Sequence, residues 1–298
     1  MAGRGGGAVP QVDPAGPDTG SGDRRSRLLG GGEGGGRSVA IAALSTVVFF
    51  GAVVAAVVTS PGWDEVKRTF FDGDVFGDTF GDIAAAFAEN VKIFLIAEAI
   101  VLPAALVLAI LRSLPGPVFV PVRFLAAAYA DIFRGIPAIL LILMLGFGAP
   151  ALQIDGVPTS PFFWGVCSLV LLYTAYVSEV YRAGIESIHP SQDAAARSLG
   201  LSRTQSLAYV VLPQAIRRVV PPLLNDFIAL QKDSALVYTV GVVEGLRQAQ
   251  IETSAAFNYT PFVGVALLFL LITIPLTRFT DWLVARDRRK RQAAGALG

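Results

Sequence analysis

The chain has 298 residues, a net charge of +1 and a mean hydropathy of +0.59. Hydrophobic residues make up 53% and charged residues only 16%, against about 25% charged in an average soluble domain. That excludes an ordinary soluble enzyme or binding domain, because too little charge remains to coat a surface. Several apolar runs approach the roughly 20 residues that cross a bilayer, so the expected fold class is all-α, a polytopic membrane bundle of about six transmembrane helices.

Residues 1–37 are rich in Gly, Pro, Asp, Ser and Arg, with Gly30–Gly36 reading GGGEGGG. Such a composition buries little apolar surface and is expected to be a disordered tail. Residues 38–88 hold a first span, Val39–Val58, and a polar stretch, Ser60–Ala88. In that stretch Asp64, Glu65, Asp72, Asp74, Asp78 and Asp82 outnumber Lys67 and Arg68, which reads as an acidic external loop. The main body, 89–285, carries five further apolar segments: Asn90–Leu111, Phe124–Phe147, Phe162–Tyr181, Ala215–Val243 and Pro261–Leu283. Residues 286–298 form a basic tail, beginning RDRRKRQ.

Arg and Lys set the orientation. The arginines at 24–37, at 112 and 123, from 182 to 218 and from 286 onward fall on one side of six spans. The acidic stretch falls on the other. Both termini are therefore expected in the cytoplasm, in a multi-pass protein of the cytoplasmic membrane.

Charge inside a bilayer is expensive, so each intramembrane ionisable group asks for a partner or a role. Asp131 and Arg134 share a helix face three residues apart and can pair there. The sequence DIFRGIP places Gly135 and Pro137 where a kink or local unwinding is expected. In the fifth segment a 1.5 Å rise puts Asp226, beside Asn225, about 12 Å beyond Arg218. Lys232 and Asp233 follow about 10 Å further on. With Glu98, Asp131, Arg134 and Glu179, these residues are the candidates for a translocation path or gate, against plain pairing between helices. The single Cys167 lies in an apolar run and reads as a small buried hydrophobe. His189, the one histidine, has no catalytic neighbours in sequence. No catalytic residue and no metal site is expected.

Between the fourth and fifth segments lies a polar interruption, Ser187–Pro213, SIHPSQDAAARSLGLSRTQSLAYVVLP. Pro190 and Ser191 can start a helix, Ala194–Ala196 propagate it, and Gly200 ends it. Ser202 can then cap a second helix, with Gln205 completing a capping box. An amphipathic helix lying on the inner membrane surface is one reading; a docking lever for another protein is the other.

The residues here resemble the EAA loop of membrane subunits of ATP-binding cassette (ABC) importers: Glu-Ala-Ala, three residues, Gly, nine residues, Ile, one residue, Leu-Pro. Ala194–Ala196, Gly200, Val210, Leu212 and Pro213 keep the spacing, with Val for Ile and with Ala194 where the pattern has Glu. Asp193 stands one place early. DIFRGIPAILLIL, TAYVSEVYRAGIESI, LPQAIRRVVPPLLNDFIALQKDSAL and VGVVEGLRQAQ extend the likeness to polar amino acid uptake permeases, most of all glutamate permeases of actinobacterial type. The resemblance implies a five-span type I importer core, with Val39–Val58 as an added first span. It also implies a cytoplasmic coupling helix made of Asp193, Ala194, Ala195, Arg197, Ser198, Leu199, Gly200 and Leu201. Implied partners are two ATPase subunits, a second permease subunit, similar or identical, an external substrate-binding protein, the bilayer and an amino acid; no nucleic acid is expected. No Gly-x-x-x-x-Gly-Lys-Ser/Thr occurs, so ATP and Mg²⁺ would sit on the ATPases and this chain would carry no cofactor and no enzyme activity. Pro103, the Gly135–Pro137 break and Pro221–Pro222 are possible hinges. The competing expectation is an ion-coupled secondary amino acid transporter, with Glu98, Asp226, Lys232 and Asp233 as its relay.

Overall fold

The computed structural model describes residues 35–295 apart from Pro115; the expected tail lies outside the described residues up to position 34, as do 296–298. Among the described residues the ordered elements are all helical. They are α1 (Gly35–Val58), α2 (Trp63–Phe70), α3 (Gly73–Arg112), α4 (Val120–Gly135), α5 (Ala138–Ala151), α6 (Pro161–Glu186), α7 (Pro190–Ser198), α8 (Arg203–Ser206), α9 (Leu212–Asp233), α10 (Gly245–Ala256) and α11 (Thr260–Gly295). A 3₁₀ turn precedes α4, a π-helical turn (Leu207–Val211) leads into α9, and a 3₁₀ helix (Ser234–Val240) follows it.

The chain divides into two compact units, Met1–Asp64 and Glu65–Gly298. In the first, α1 is exposed at every position from Ser38 to Val58 and apolar on all sides. A helix of that kind needs hydrocarbon around it.

In the second unit α6 is the central helix, contacting α3, α4, α5 and α9. Its small residues allow close approach, as between membrane helices generally. A Cβ on Gly165 would overlap the side chain of Val237, and one on Gly184 would overlap Val219. Around α6 the core gathers Ile93, Ala97 and Val101 of α3 with Leu169, Leu172 and Val177 of α6 and Leu230 of α9. A smaller cluster, centred on Ile83, Phe87, Ala249 and Val265, joins α3, α10 and α11.

Among the described residues four helices are long and apolar enough to cross a membrane, and the α4–α5 pair makes a fifth candidate if counted as one span. That pair is the expected Phe124–Phe147 span, bent by 102° at Ile136–Pro137. Pro137 has no N–H to continue the helix and pushes Ile136 into an extended conformation (φ −93°, ψ 131°). By contrast α3 runs unbroken through Pro103, and α9 through Pro221 and Pro222. The Ala215–Val243 segment does not pass as a span, since it breaks into α9 and the 3₁₀ helix and carries five charges.

The acidic stretch expected as a loop is mostly helix. Asp72 caps α3, accepting from the amides of Asp74 and Val75 at 3.0 and 3.1 Å. The first turns then expose Asp74, Asp78 and Asp82 while Thr79, Ile83 and Phe87 are buried. The charge lies on one face of a helix of 40 residues. At the other end α11 continues through Arg286 to Gly295, so the expected basic tail prolongs the last helix.

Candidate functional site

The Ser187–Pro213 interruption folds into a compact helical loop. Pro190 opens α7, and the His189 ring caps it by accepting the Ser191 amide at 3.2 Å. The lone histidine is therefore a helix cap. Gly200 takes a left-handed φ of +89°, which glycine adopts without a side-chain clash. The amides of Gly200 and Leu201 turn back to the carbonyls of Arg197 and Ala196 at 3.0 and 3.3 Å, closing a Schellman motif. The capping box is present in both directions: Ser202 N to Gln205 Oε1 at 2.9 Å and Gln205 N to Ser202 Oγ at 3.3 Å.

This geometry sorts the loop's side chains. Ala196 is buried, whereas Ala194, Ala195, Arg197, Ser198 and Gly200 are exposed and Leu201 is half-buried. Leu199 is 85% exposed at the tip. A shallow groove lies beside it, lined by Ala194, Arg197, Ser198, Gly200, Leu201, Ser202 and Gln205. Asp193 turns inward, its Oδ1 accepting from the buried Ser206 hydroxyl at 2.6 Å.

The stem of the loop is closely packed. Gly184 of α6 packs directly on Val219 of α9, and the Arg218 guanidinium donates to the Ser187 carbonyl. Just within the stem, Glu179 gathers three arginines: Arg112, the last residue of α3, at 2.7 Å; Arg134, in the last turn of α4, at 3.6 Å; and Arg182 on its own helix. Arg182 also reaches Glu186 at 2.6 Å. The pairing expected between Asp131 and Arg134 does not form: Arg134 turns to Glu179, while Asp131 is exposed. The less exposed carboxylate at a three-helix junction sits in lower dielectric and attracts the cation more strongly.

Deeper in the bundle, Glu98 of α3 and Asp226 of α9 lie within electrostatic reach of each other. Asp226 Oδ2 is buried without a hydrogen-bond partner among the described residues. Asp233 accepts from the Tyr173 hydroxyl at 2.8 Å. Asn225 and Lys232 are exposed. The interior therefore collects three carboxylates and a tyrosine, Glu179 is half-buried at its arginine junction, and Asp131, Arg134, Asn225 and Lys232 are exposed.

Residues 118–289 match the family described as the binding-protein-dependent transport system inner membrane component. The chain belongs to that family. It is a multi-pass membrane subunit of an amino-acid ABC transporter, and a permease of this family works with ATPase and binding-protein partners. It is 36% identical over 172 residues to the probable glutamine ABC transporter permease protein GlnM of Bacillus subtilis (strain 168), covering 57% of this chain and 77% of that one. It is 32% identical over 196 residues to the arginine transport system permease protein ArtQ of the same organism, covering 65% and 87%. Among solved structures it is similar to an amino acid ABC transporter crystallised with histidines, with a TM-score of 0.62 and 29% identity over 68% of this chain and 93% of that one. The inward-facing MetNI methionine ABC transporter has the same fold, with a TM-score of 0.53 and 19% identity over 72% and 98%.

The permease also contains a polar clasp that sequence reading missed. Glu244 is fully buried, caps α10 through the amides of Leu246 and Arg247, and accepts from Asn90 Nδ2 at 2.7 Å. Asn90 in turn accepts the Gly245 amide at 2.9 Å. The signal available was a lone acid followed by glycine in VGVVEGLRQAQ. The clasp fixes the 3₁₀ helix, whose Val240 fills a notch at Gly146 of α5 and whose Val237 fills one at Gly165 of α6.

Proposed function

We propose that this permease imports glutamate or a closely related polar amino acid across the cytoplasmic membrane, with α7 as the element on which ATPase subunits act. The observation that carries the reading is the contrast within the loop: an exposed apolar tip at Leu199 on a stem locked to α6 and α9. A lever must be accessible at one end and stiff at the other, and α7 is both. Asp193 through Leu201 form the coupling segment, with Ala195, Arg197, Gly200 and Leu201 at its centre. In this reading Asp193 orders the segment from within.

Two ATPase subunits, which hold ATP and Mg²⁺, dock at this loop; a second permease subunit pairs with this one, and a substrate-binding protein delivers the amino acid from outside. Both termini lie in the cytoplasm with the arginine-rich ends. The chain contributes transport and no catalysis. Closure of the ATPases displaces α7 as a unit, and the Glu179 junction passes that displacement to α3 and α4. Glu98, Asp226 and Asp233 face the path.

Support for the substrate class comes from the glutamine and arginine permeases among the relatives. Uptake of labelled glutamate, glutamine and arginine, in cells with and without this gene product, tests the reading. Loss of glutamate and glutamine uptake together with ATP dependence is expected; ATP-independent uptake driven by an ion gradient would overturn it.

A further inference from the structure

The end of the bundle farthest from α7 carries an exposed aromatic residue in an unusual conformation. Phe257 closes α10 with φ +50° and ψ +36°, a left-handed position where glycine or asparagine is the usual occupant. Its side chain is 89% exposed. The backbone around it is nevertheless pinned: Tyr259 N donates to Thr69 O at 2.8 Å and Asn258 Nδ2 to Arg68 O at 3.0 Å. The Tyr259 ring stacks on Phe70, with centroids 5.3 Å apart. A groove beside Phe257 continues onto α10 at Arg247 and Gln250. The Arg247 guanidinium is exposed and bonds Gln250 Oε1 at 3.1 Å, with no carboxylate partner among the described residues.

The location follows from α3. Its last residue, Arg112, joins the stem of the α7 loop, while Asp72, before its first, is bound to Thr260 at 3.1 Å. At 1.5 Å per residue the helix separates the two by up to about 60 Å, more than the thickness of a bilayer.

We propose that Phe257 and Tyr259 form the anchor on which the external substrate-binding protein docks, with Arg247 meeting a carboxylate of that partner. This rests on the reading that α7 faces the ATPases in the cytoplasm. A rigid aromatic on a preorganised turn, with a cation at its edge, is the composition of an interface anchor. An anionic lipid surface fits less well, because Asp74, Asp78 and Asp82 are exposed at the same end and such a surface repels them.

The test uses the permease assembled with its ATPase subunits in nanodiscs, titrated with its substrate-binding protein loaded with glutamine. Phe257→Gly keeps the left-handed turn and removes the ring. The concentration giving half-maximal ATPase stimulation should rise at least tenfold, and further with Arg247→Glu, while ATPase without binding protein stays unchanged. An unchanged half-maximal concentration overturns the proposal. So does quenching of the indole of Phe257→Trp by brominated lipid when half-maximal stimulation matches that of the parent protein, which assigns the ring to the membrane. A parent complex that ignores its binding protein would overturn the import reading itself, and this inference with it.

Discussion

Asp193 accepts a 2.6 Å hydrogen bond from Ser206, a residue with no exposed surface, across the turn joining α7 to the π-helical entry of α9. The carboxylate beside the place where importer loops carry Glu thus holds the loop together from inside. Hydrogen bonds to charged groups contribute about 1.5–3 kcal/mol. Asp193→Ala and Ser206→Ala should each loosen the loop by roughly that amount, and the double variant should lose little more than either. In proteoliposomes the amino acid transported per ATP hydrolysed should fall several-fold. Equal, additive effects would show that the two side chains act separately.

Gly200 closes α7 at φ +89°. A β-branched residue there costs about 1–2 kcal/mol and turns the exposed tip. Gly200→Val should abolish uptake while the protein remains in the membrane, and Gly200→Asn, which tolerates the left-handed region, should retain most of it. Uptake and membrane abundance measured side by side check both.

Glu179 pairs with arginines from three helices. Glu179→Gln leaves Arg112, whose side chain is only 12% exposed, with a neutral amide in place of the carboxylate it meets at 2.7 Å. Removing one member of a buried pair costs 3–5 kcal/mol; with Glu179 itself 24% exposed, about 2–3 kcal/mol is expected. Arg134→Gln acts on a longer contact at 39% exposure and should change stability by less than about 1 kcal/mol. Thermal unfolding of the purified permease ranks the two.

Gly165 admits Val237 so closely that a Cβ would overlap it. Gly165→Ala should destabilise by about 1–3 kcal/mol through overpacking, and Val237→Ala in the same chain should restore part of the loss. Melting curves of the single and double variants measure the rescue.

The coupling loop was legible because its signals are local. Pro190, Gly200 and the Ser202–Gln205 box each act within one turn, and all take the expected geometry. The bend at Gly135–Pro137 was legible for the same reason. The first turns of α3 were misread because six acids suggested a loop, although Thr79, Ile83 and Phe87 already followed the helical period against Asp74, Asp78 and Asp82. Arg134 went to the wrong partner because a carboxylate three residues away is visible in sequence, whereas Glu179, on another helix, is not. Glu244 escaped notice since its partner Asn90 lies 154 residues earlier.

That separation also bears on how the protein is made. A chain growing from its amino terminus inserts α3 with the Asn90 amide facing hydrocarbon or water, long before residues 234–245 have been synthesised. A buried amide without partners is costly, so α3 stays unfinished until the last quarter of the chain arrives. A ribosome that stalls after α9 releases a product that lacks the α11 span, and in it the Asn90 amide of α3 is still without its Ser234, Glu244 and Gly245 partners.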